Sequence, residues 1–183
     1  LWDVGDGVLC LEFHTKMNAI DADIMGMIND ARTHIEGSSE HKALVIYNEG
    51  GNFSAGVNLA QAVGALADKD LDTVEATVRT GQETYAALKF ANFPTVGAPS
   101  GMALGGGCEV LLHCASIQAH SESYIGLVEV GVGFIPGWGG CKELLLRWIN
   151  NKRRPGGPVP LVVQTFQTIG IAKVSTSARE AQD

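Results

Sequence analysis

Gly105-Gly106-Gly107 stands between the apolar run Gly101-Met102-Ala103-Leu104 and the helical stretch Glu109-Val110-Leu111-Leu112, and no other segment restricts the fold so strongly. Successive residues without Cβ let a backbone approach a ligand closely and turn its amide N–H groups outward where a helix begins. Amides so placed face developing negative charge. Glu109 falls in the first turn of that helix. A second acid, Glu129, lies within Leu127-Val128-Glu129-Val130-Gly131-Val132 with few polar neighbours. Such a setting raises the pKa of a carboxyl group and suits it to proton transfer.

The rest of the chain alternates strand and helix. Val8 to Phe13 reads as a strand, and Asp21 begins a helix with Ile24, Met27, Ile28, Ala31 and Ile35 at helical spacing, ended by Gly37. Ala43 to Tyr47 is a buried strand by its β-branched content, and Asn48 to Asn52 is a turn leading into Phe53-Ser54-Ala55-Gly56. Helices are expected over 58–66 and 72–90, a strand over 94–98, then the glycine turn and a helix ending near His113. Strands over 116–120 and 124–126 and helices over 138–148, 159–172 and from 177 follow. The pattern is that of one α/β domain with parallel crossovers, whose ligands gather at the C-terminal ends of strands. The glycine-bearing turns after Tyr47 and Ala98 are expected at such ends.

Of the 183 residues 45% are hydrophobic and 18% charged, enough for a full core. Lysine plus arginine number 13 against 20 acids, and the net charge of −7 argues against nucleic-acid or anionic-membrane partners. Lys152-Arg153-Arg154 is a basic cluster that reads as a solvated loop before Pro155-Gly156-Gly157-Pro158. Cys10, Cys108, Cys114 and Cys141 lack CxxC spacing and read as free thiols of a reducing compartment. No signal peptide is evident and no apolar run nears about 18 residues, so a cytoplasmic protein is expected. A start at Leu1-Trp2-Asp3 without methionine and a polar end point to a fragment of a longer chain.

Most motif readings fail when written out. Gly107-Cys108 stands where a phosphate-binding loop needs Lys-Ser/Thr, and Val110 and Pro136 stand where a dinucleotide fingerprint needs its third glycine. Ser54 lacks the first glycine of a nucleophile elbow, and the five histidines lack zinc-ligand spacing. Two carboxylates and two sets of backbone donors remain. That combination suits an enolate-like intermediate from a thioester, the amides holding the carbonyl oxygen while the acids move protons. A structural account is equally open at this point: Glu109 favoured by the helix dipole, Glu129 salt-bridged.

Four ordered motifs give a more specific reading. They are Asn18-Ala19-Ile20, Gly51-Asn52-Phe53-Ser54-Ala55-Gly56-Val57-Asn58-Leu59, Gly101 to Glu109, and Glu129-Val130-Gly131-Val132-Gly133-Phe134-Ile135-Pro136-Gly137. In them the chain resembles the crotonase (enoyl-CoA hydratase/isomerase) superfamily from about Val8 to Ala172. The resemblance implies a crotonase-like spiral of β-β-α units with its C-terminal helical region truncated, residues 1–183 forming a single domain. It places Val57 and Gly106 at the positions whose backbone N–H groups form the oxyanion hole. Glu109 and Glu129 match the two acids of members that hydrate 2-enoyl-CoA, the first holding and activating water and the second serving the proton at Cα. Ala55, Gly105 and Gly137 fall at substrate-binding positions, Gly137 near the water, and Lys16 and Ala55 lie in segments flanking CoA. Ala115 and Asn58 stand where the family commonly has aspartate, away from the proton chemistry.

The wording around Val128-Glu129-Val130 and Trp138-Gly139-Gly140-Cys141-Lys142-Glu143 also looks like the hydratase portion of bacterial 3-hydroxyacyl-CoA dehydrogenase fusion proteins. The expected activity is hydration of trans-2-enoyl-CoA in fatty-acid β-oxidation, with no metal or redox cofactor in this domain. NAD is expected only if a dehydrogenase domain exists elsewhere in the parent. The expected partners are an acyl-CoA substrate and either copies of the chain, as a trimer, or a dehydrogenase domain in cis. A non-catalytic acyl-CoA-binding or assembly module and a double-bond isomerase are the alternatives. Acyl chain length depends on a pocket floor expected in the 60–71 region and in chain beyond this sequence.

Overall fold

The computed structural model describes residues 1–151 and 158–182, so Lys152-Arg153-Arg154 and the Pro155-Gly156-Gly157 after it lie outside the described residues. Among the described residues eight strands form two sheets. The larger is built from β1 (Trp2–Asp3), β2 (Val8–Leu11), β3 (Ala43–Tyr47), β5 (Thr95–Ala98) and β7 (Ser116–Ile117), adjacent in that order. The smaller is built from β4 (Asn52–Ser54), β6 (Gly101–Leu104) and β8 (Ser123–Gly126), also adjacent in that order. Every pairing is parallel except β1 with β2.

Each large-sheet strand from β3 onward is followed by a small-sheet strand and then by helix. After β3 and β4 come α2 (Leu59–Ala67) and α3 (Leu71–Lys89). After β5 and β6 comes α4 (Gly106–His113), and after β7 and β8 a 3-10 turn (Glu129–Val132) and α5 (Gly140–Asn150). Repetition of that β-β-α unit winds the chain into a spiral. α1 (Ala22–Glu36) covers one face of the large sheet, while α6 (Pro158–Gly170) and α7 (Ala178–Gln182) close the sequence.

The sequence reading put the glycine turns directly after β3 and β5. Instead the chain makes a corner after each of those strands and adds a short strand before the site. At the second corner Gly101 has φ +67°, and a Cβ there would lie 2.0 Å from the carbonyl oxygen of Gly51 in the first corner. Only glycine allows that left-handed bend with two corners stacked in contact. Gly101–Leu104 is therefore strand rather than turn, and the site sits at the end of the small sheet.

Local chemistry explains the helices. Asp21 caps α1 by accepting from the Ile24 amide at 3.0 Å, and Ile24, Ile28, Ala31 and Ile35 recur on its buried face. Asp70 caps α3 in the same way through Thr73. Leu11, Phe13, Ile20, Leu44, Ile46, Phe53, Val110 and Leu111 fill the core between sheets and helices. Asn48, read from sequence as a turn residue, is fully buried. Its Oδ1 accepts from the Phe13 amide at 2.6 Å and its Nδ2 donates to the Phe53 carbonyl, which ties both sheets together where the chain passes from one to the other. No helix of the described residues is long and apolar enough to cross a membrane.

Candidate active site

The small sheet delivers two glycine segments side by side. A Cβ on Gly56 would lie 2.8 Å from Leu104 O and 3.3 Å from the Gly106 amide nitrogen, so the ends of β4 and β6 are in backbone contact. Ile20 bridges Val57 in parallel fashion, donating to Gly56 O at 2.8 Å and accepting from Asn58 N at 3.1 Å. Alternation along an extended segment then turns the Val57 N–H away from Ile20. Gly106 opens α4, and an N–H in the first turn of a helix has no acceptor within it. The Val57 nitrogen lies 3.6 Å from where a Gly106 Cβ would sit. The two amides are neighbours.

Close packing accounts for the remaining glycines. A Cβ on Gly107 would lie 2.6 Å from the Ser54 Cβ, and one on Gly106 would lie 2.6 Å from the Trp138 ring. Ser54 is fully buried; its hydroxyl donates to Asn18 O at 2.7 Å and accepts from Gly56 N at 3.1 Å. Holding the loop, not attacking a substrate, is what that hydroxyl does. Tyr85 donates to Gly106 O at 3.0 Å, and its ring meets Trp138 edge-on at 5.6 Å between centroids.

Glu109, 2% exposed, projects from the first turn of α4. Its Oε1 accepts from the Trp138 amide at 2.9 Å and the Gly140 amide at 2.8 Å. Burial pushes its carboxyl up to about 8, with the Glu129 charge adding to the rise and the two amides opposing it. Glu129, on the 3-10 turn, has both carboxyl oxygens buried without a hydrogen-bond partner in the protein. Burial raises its pKa too, opposed only by its own backbone amide, which lies near the carboxyl but outside hydrogen-bond geometry. Two desolvated carboxyls in one cavity disfavour simultaneous ionisation, and burial holds both above the ordinary carboxylate range.

Val57, Gly106, Glu109, Glu129 and Gly137 line one cavity of about 600 Å³. Its other walls are mostly apolar and include Met25, Val74, Phe134 and Ile135. Ala65 and Leu66 come from the region read as the pocket floor, and α3 adds Thr73 and Thr77, which the sequence reading did not place there. Ala55 and Gly105 are not among the lining residues. Ala55 donates instead to Met17 O at 3.2 Å, and Gly105 backs onto Glu129, its absent Cβ leaving 3.3 Å to Oε1. Lys16 is exposed on a 3-10 turn (Lys16–Asn18) outside the cavity lining.

Tyr85 and Trp138 escaped sequence reasoning. One signal existed: Gly81 in the middle of α3, where glycine costs about 1 kcal/mol relative to alanine. The reason is the Trp138 indole, whose Nε1 would lie 2.2 Å from a Cβ at that position. All four cysteines are free, Cys108 and Cys114 buried and Cys141 exposed. No cluster of histidine, cysteine or acidic residues able to hold a metal occurs among the described residues.

Comparison with known proteins identifies the family and the fold. The model of the family described as enoyl-CoA hydratase/isomerase matches residues 3–153. A Bacillus subtilis protein named "Probable 3-hydroxyacyl-CoA dehydrogenase" is 48% identical over 183 residues, which are 100% of this chain and 23% of that protein. A Rickettsia felis protein carrying the name of a fatty acid oxidation complex trifunctional enzyme is 38% identical over 140 residues, 76% of this chain and 19% of its own length. The chain thus spans less than a quarter of either relative. Among solved structures, an enoyl-CoA hydratase from Bacillus anthracis superposes with a TM-score of 0.81 at 23% identity, over 98% of this chain and 64% of that one.

Proposed function

The chain belongs to the enoyl-CoA hydratase/isomerase (crotonase) family, and from that premise we propose that it hydrates trans-2-enoyl-CoA to 3-hydroxyacyl-CoA. The observation that carries this reading is the unequal provisioning of two acids whose carboxyl oxygens are buried around one cavity. Burial lifts Glu109 to about 8 and raises Glu129 as well, but hydrogen bonds to a carboxylate favour its charged form, so the charge of the pair is assigned to Glu109, the acid that two amides serve. Glu129, without a donor, keeps the proton. Glu109 takes a proton from water as the oxygen bonds to Cβ, and Glu129 gives its proton to Cα. Water is consumed whole, and the pair still holds one proton, now on Glu109, that returns to Glu129 before the next turnover.

The Val57 and Gly106 amides would hold the thioester oxygen while negative charge builds on it, a contribution of about 3 to 4 kcal/mol per donor in comparable sites. Addition of water changes no oxidation state in sum, so the reaction needs no redox cofactor from this unit, and the two amides serve the thioester oxygen where a Lewis-acid metal otherwise would. NAD would serve only a dehydrogenase unit elsewhere in a longer parent, a unit that the name of the Bacillus subtilis relative supports, while the name of the Rickettsia felis relative supports a role in fatty-acid oxidation. Assembly as a trimer, or with such a unit in cis, belongs to the same proposal.

Crotonyl-CoA hydration by the full-length protein is the test. Loss of activity by about 10²-fold or more in both Glu109→Gln and Glu129→Gln is expected. Unchanged rates in both would end the proposal. Turnover of a 3-enoyl-CoA in place of crotonyl-CoA would assign isomerisation, and acetoacetyl-CoA binding without turnover of either would assign a binding module.

A further inference from the structure

Lys89, His113 and Glu143 form a polar cluster behind Glu109 that no proton step above uses. Lys89 ends α3, His113 ends α4, and Glu143 lies in the first turn of α5. His113 and Glu143 are both buried, at 2% and 3% exposure. The Glu143 carboxylate accepts from Lys89 Nζ through Oε2. Its Oε1 has Lys142 Nζ at 3.0 Å, an ion pair without hydrogen-bond alignment, and His113 Nε2 at 3.7 Å. Burial alone would raise its pKa, but Lys89, Lys142 and His113 together bring it below the ordinary value, so it is anionic.

This cluster reaches Glu109 by two routes. His113 Nδ1 lies 2.8 Å from the backbone carbonyl of Glu109; a carbonyl only accepts, so Nδ1 carries the proton. The opposite edge of the imidazole lies against Gly139, where φ is +114° and a Cβ would come within 2.9 Å of Cε1 and Nε2. The second route runs through α5, because the Glu143 amide donates to Gly139 O at 2.9 Å. Gly139 stands between Trp138 and Gly140, whose amides grip Glu109. One buried carboxylate therefore joins the ends of three helices directly behind that grip.

We propose that Glu143 is a positioning residue: anchored by Lys89 and packed against the His113 ring, it pins the start of α5 so that the Trp138 and Gly140 amides stay on the Glu109 carboxylate. The consequence for catalysis rests on the reading of Glu109 as the ionised acid. Charged or titratable groups acting on Glu109 and on the groups beside it are Glu129, Tyr85, Cys108, Cys114, Cys141, Arg147 and His113, and none of them is altered in the variants below.

The test uses the full-length protein. In Glu143→Ala, kcat for crotonyl-CoA should fall about tenfold or more, the scale of a small misplacement of a reacting group, while the Kd for acetoacetyl-CoA stays within about threefold. The Glu109 titration, read as the infrared difference between each protein and its Glu109→Gln counterpart, should move to higher pH as the amides are lost. Glu143→Gln should stay within about threefold of the parent kcat, because its amide still accepts from Lys89 and can donate to His113 Nε2. If Glu143→Ala does not fold, Lys89→Met, which removes one anchor at a partly exposed position, should show the same pattern with a smaller drop. An unmoved Glu109 titration together with parental kcat overturns the proposal, as does a Kd that rises in step with the loss of rate. Failure of the functional reading looks different: hydration is absent or survives Glu109→Gln, and the infrared titration still decides whether Glu143 holds the grip.

Discussion

Glu109 and Glu129 open into the same cavity, yet the chain supports them in different ways. Glu109 grows from a helix wedged between glycine contacts and is gripped by two amides from the start of the next unit. Glu129 rides on a single 3-10 turn, with nothing to receive its oxygens. Burial raises both pKa values, so burial cannot divide their labour. The donors can: two charge-assisted hydrogen bonds, each worth about 1.5 to 3 kcal/mol, are available to one anion and not to the other.

Removing either acid breaks the comparison outright, and Glu109→Gln or Glu129→Gln should each cost about 10² to 10⁴ in crotonyl-CoA hydration. The double variant should be little slower than the worse single one, since residues that act as a unit do not add; steady-state rates of all three decide it. Gly140→Ala sharpens the comparison by touching one side only. A Cβ there would lie 2.9 Å from Glu109 Oε1 and 2.8 Å from Leu127, so a loss of about 10²-fold in kcat is expected while Glu129 keeps its place. A crystal structure of that variant would show which carboxylate moved.

Gly81→Ala acts on the same side from farther away. It gains helix propensity, but its Cβ meets the Trp138 indole, and overpacking of this kind costs about 1 to 3 kcal/mol. Thermal unfolding should register that net loss, and kcat should drop less than in Gly140→Ala. The smallest effect concerns stability against pH. Burial raises both carboxyls, Glu109 to about 8 against an ordinary 4.5, so over that range the folded pair binds more protons than the unfolded chain and stability falls as pH rises. Glu109→Gln leaves one titrating carboxyl of the two, so its stability should fall less than the parent's between pH 4 and pH 8; urea unfolding at both pH values reads the difference.

Much of the fold was legible where local chemistry is decisive. Asp21 announces α1 because a carboxylate before an apolar helical period caps the first turn, and Ala43 to Tyr47 announces β3 by β-branched content. Three- and four-residue strands such as Asn52–Ser54 and Gly101–Leu104 are too short for period-two alternation to register, and their glycines argue for turn. The neighbourhood of Glu129 was legible because its apolar flanks are contiguous in sequence. Tyr85, Trp138, Asn48 and Glu143 were not, because each acts on residues that are remote along the chain.

The sequence by itself determined the alternation of strand and helix, the glycine segments that demand close backbone approach, and the presence of two acids with few polar neighbours. These follow from interactions within a few residues, which composition and spacing record. Tertiary structure alone decided that a second sheet carries the site, that amides 29 and 31 positions downstream grip Glu109, and that Glu129 goes without a donor. Such assignments depend on which distant backbone groups are left unpaired once the spiral closes, and no local pattern encodes that remainder.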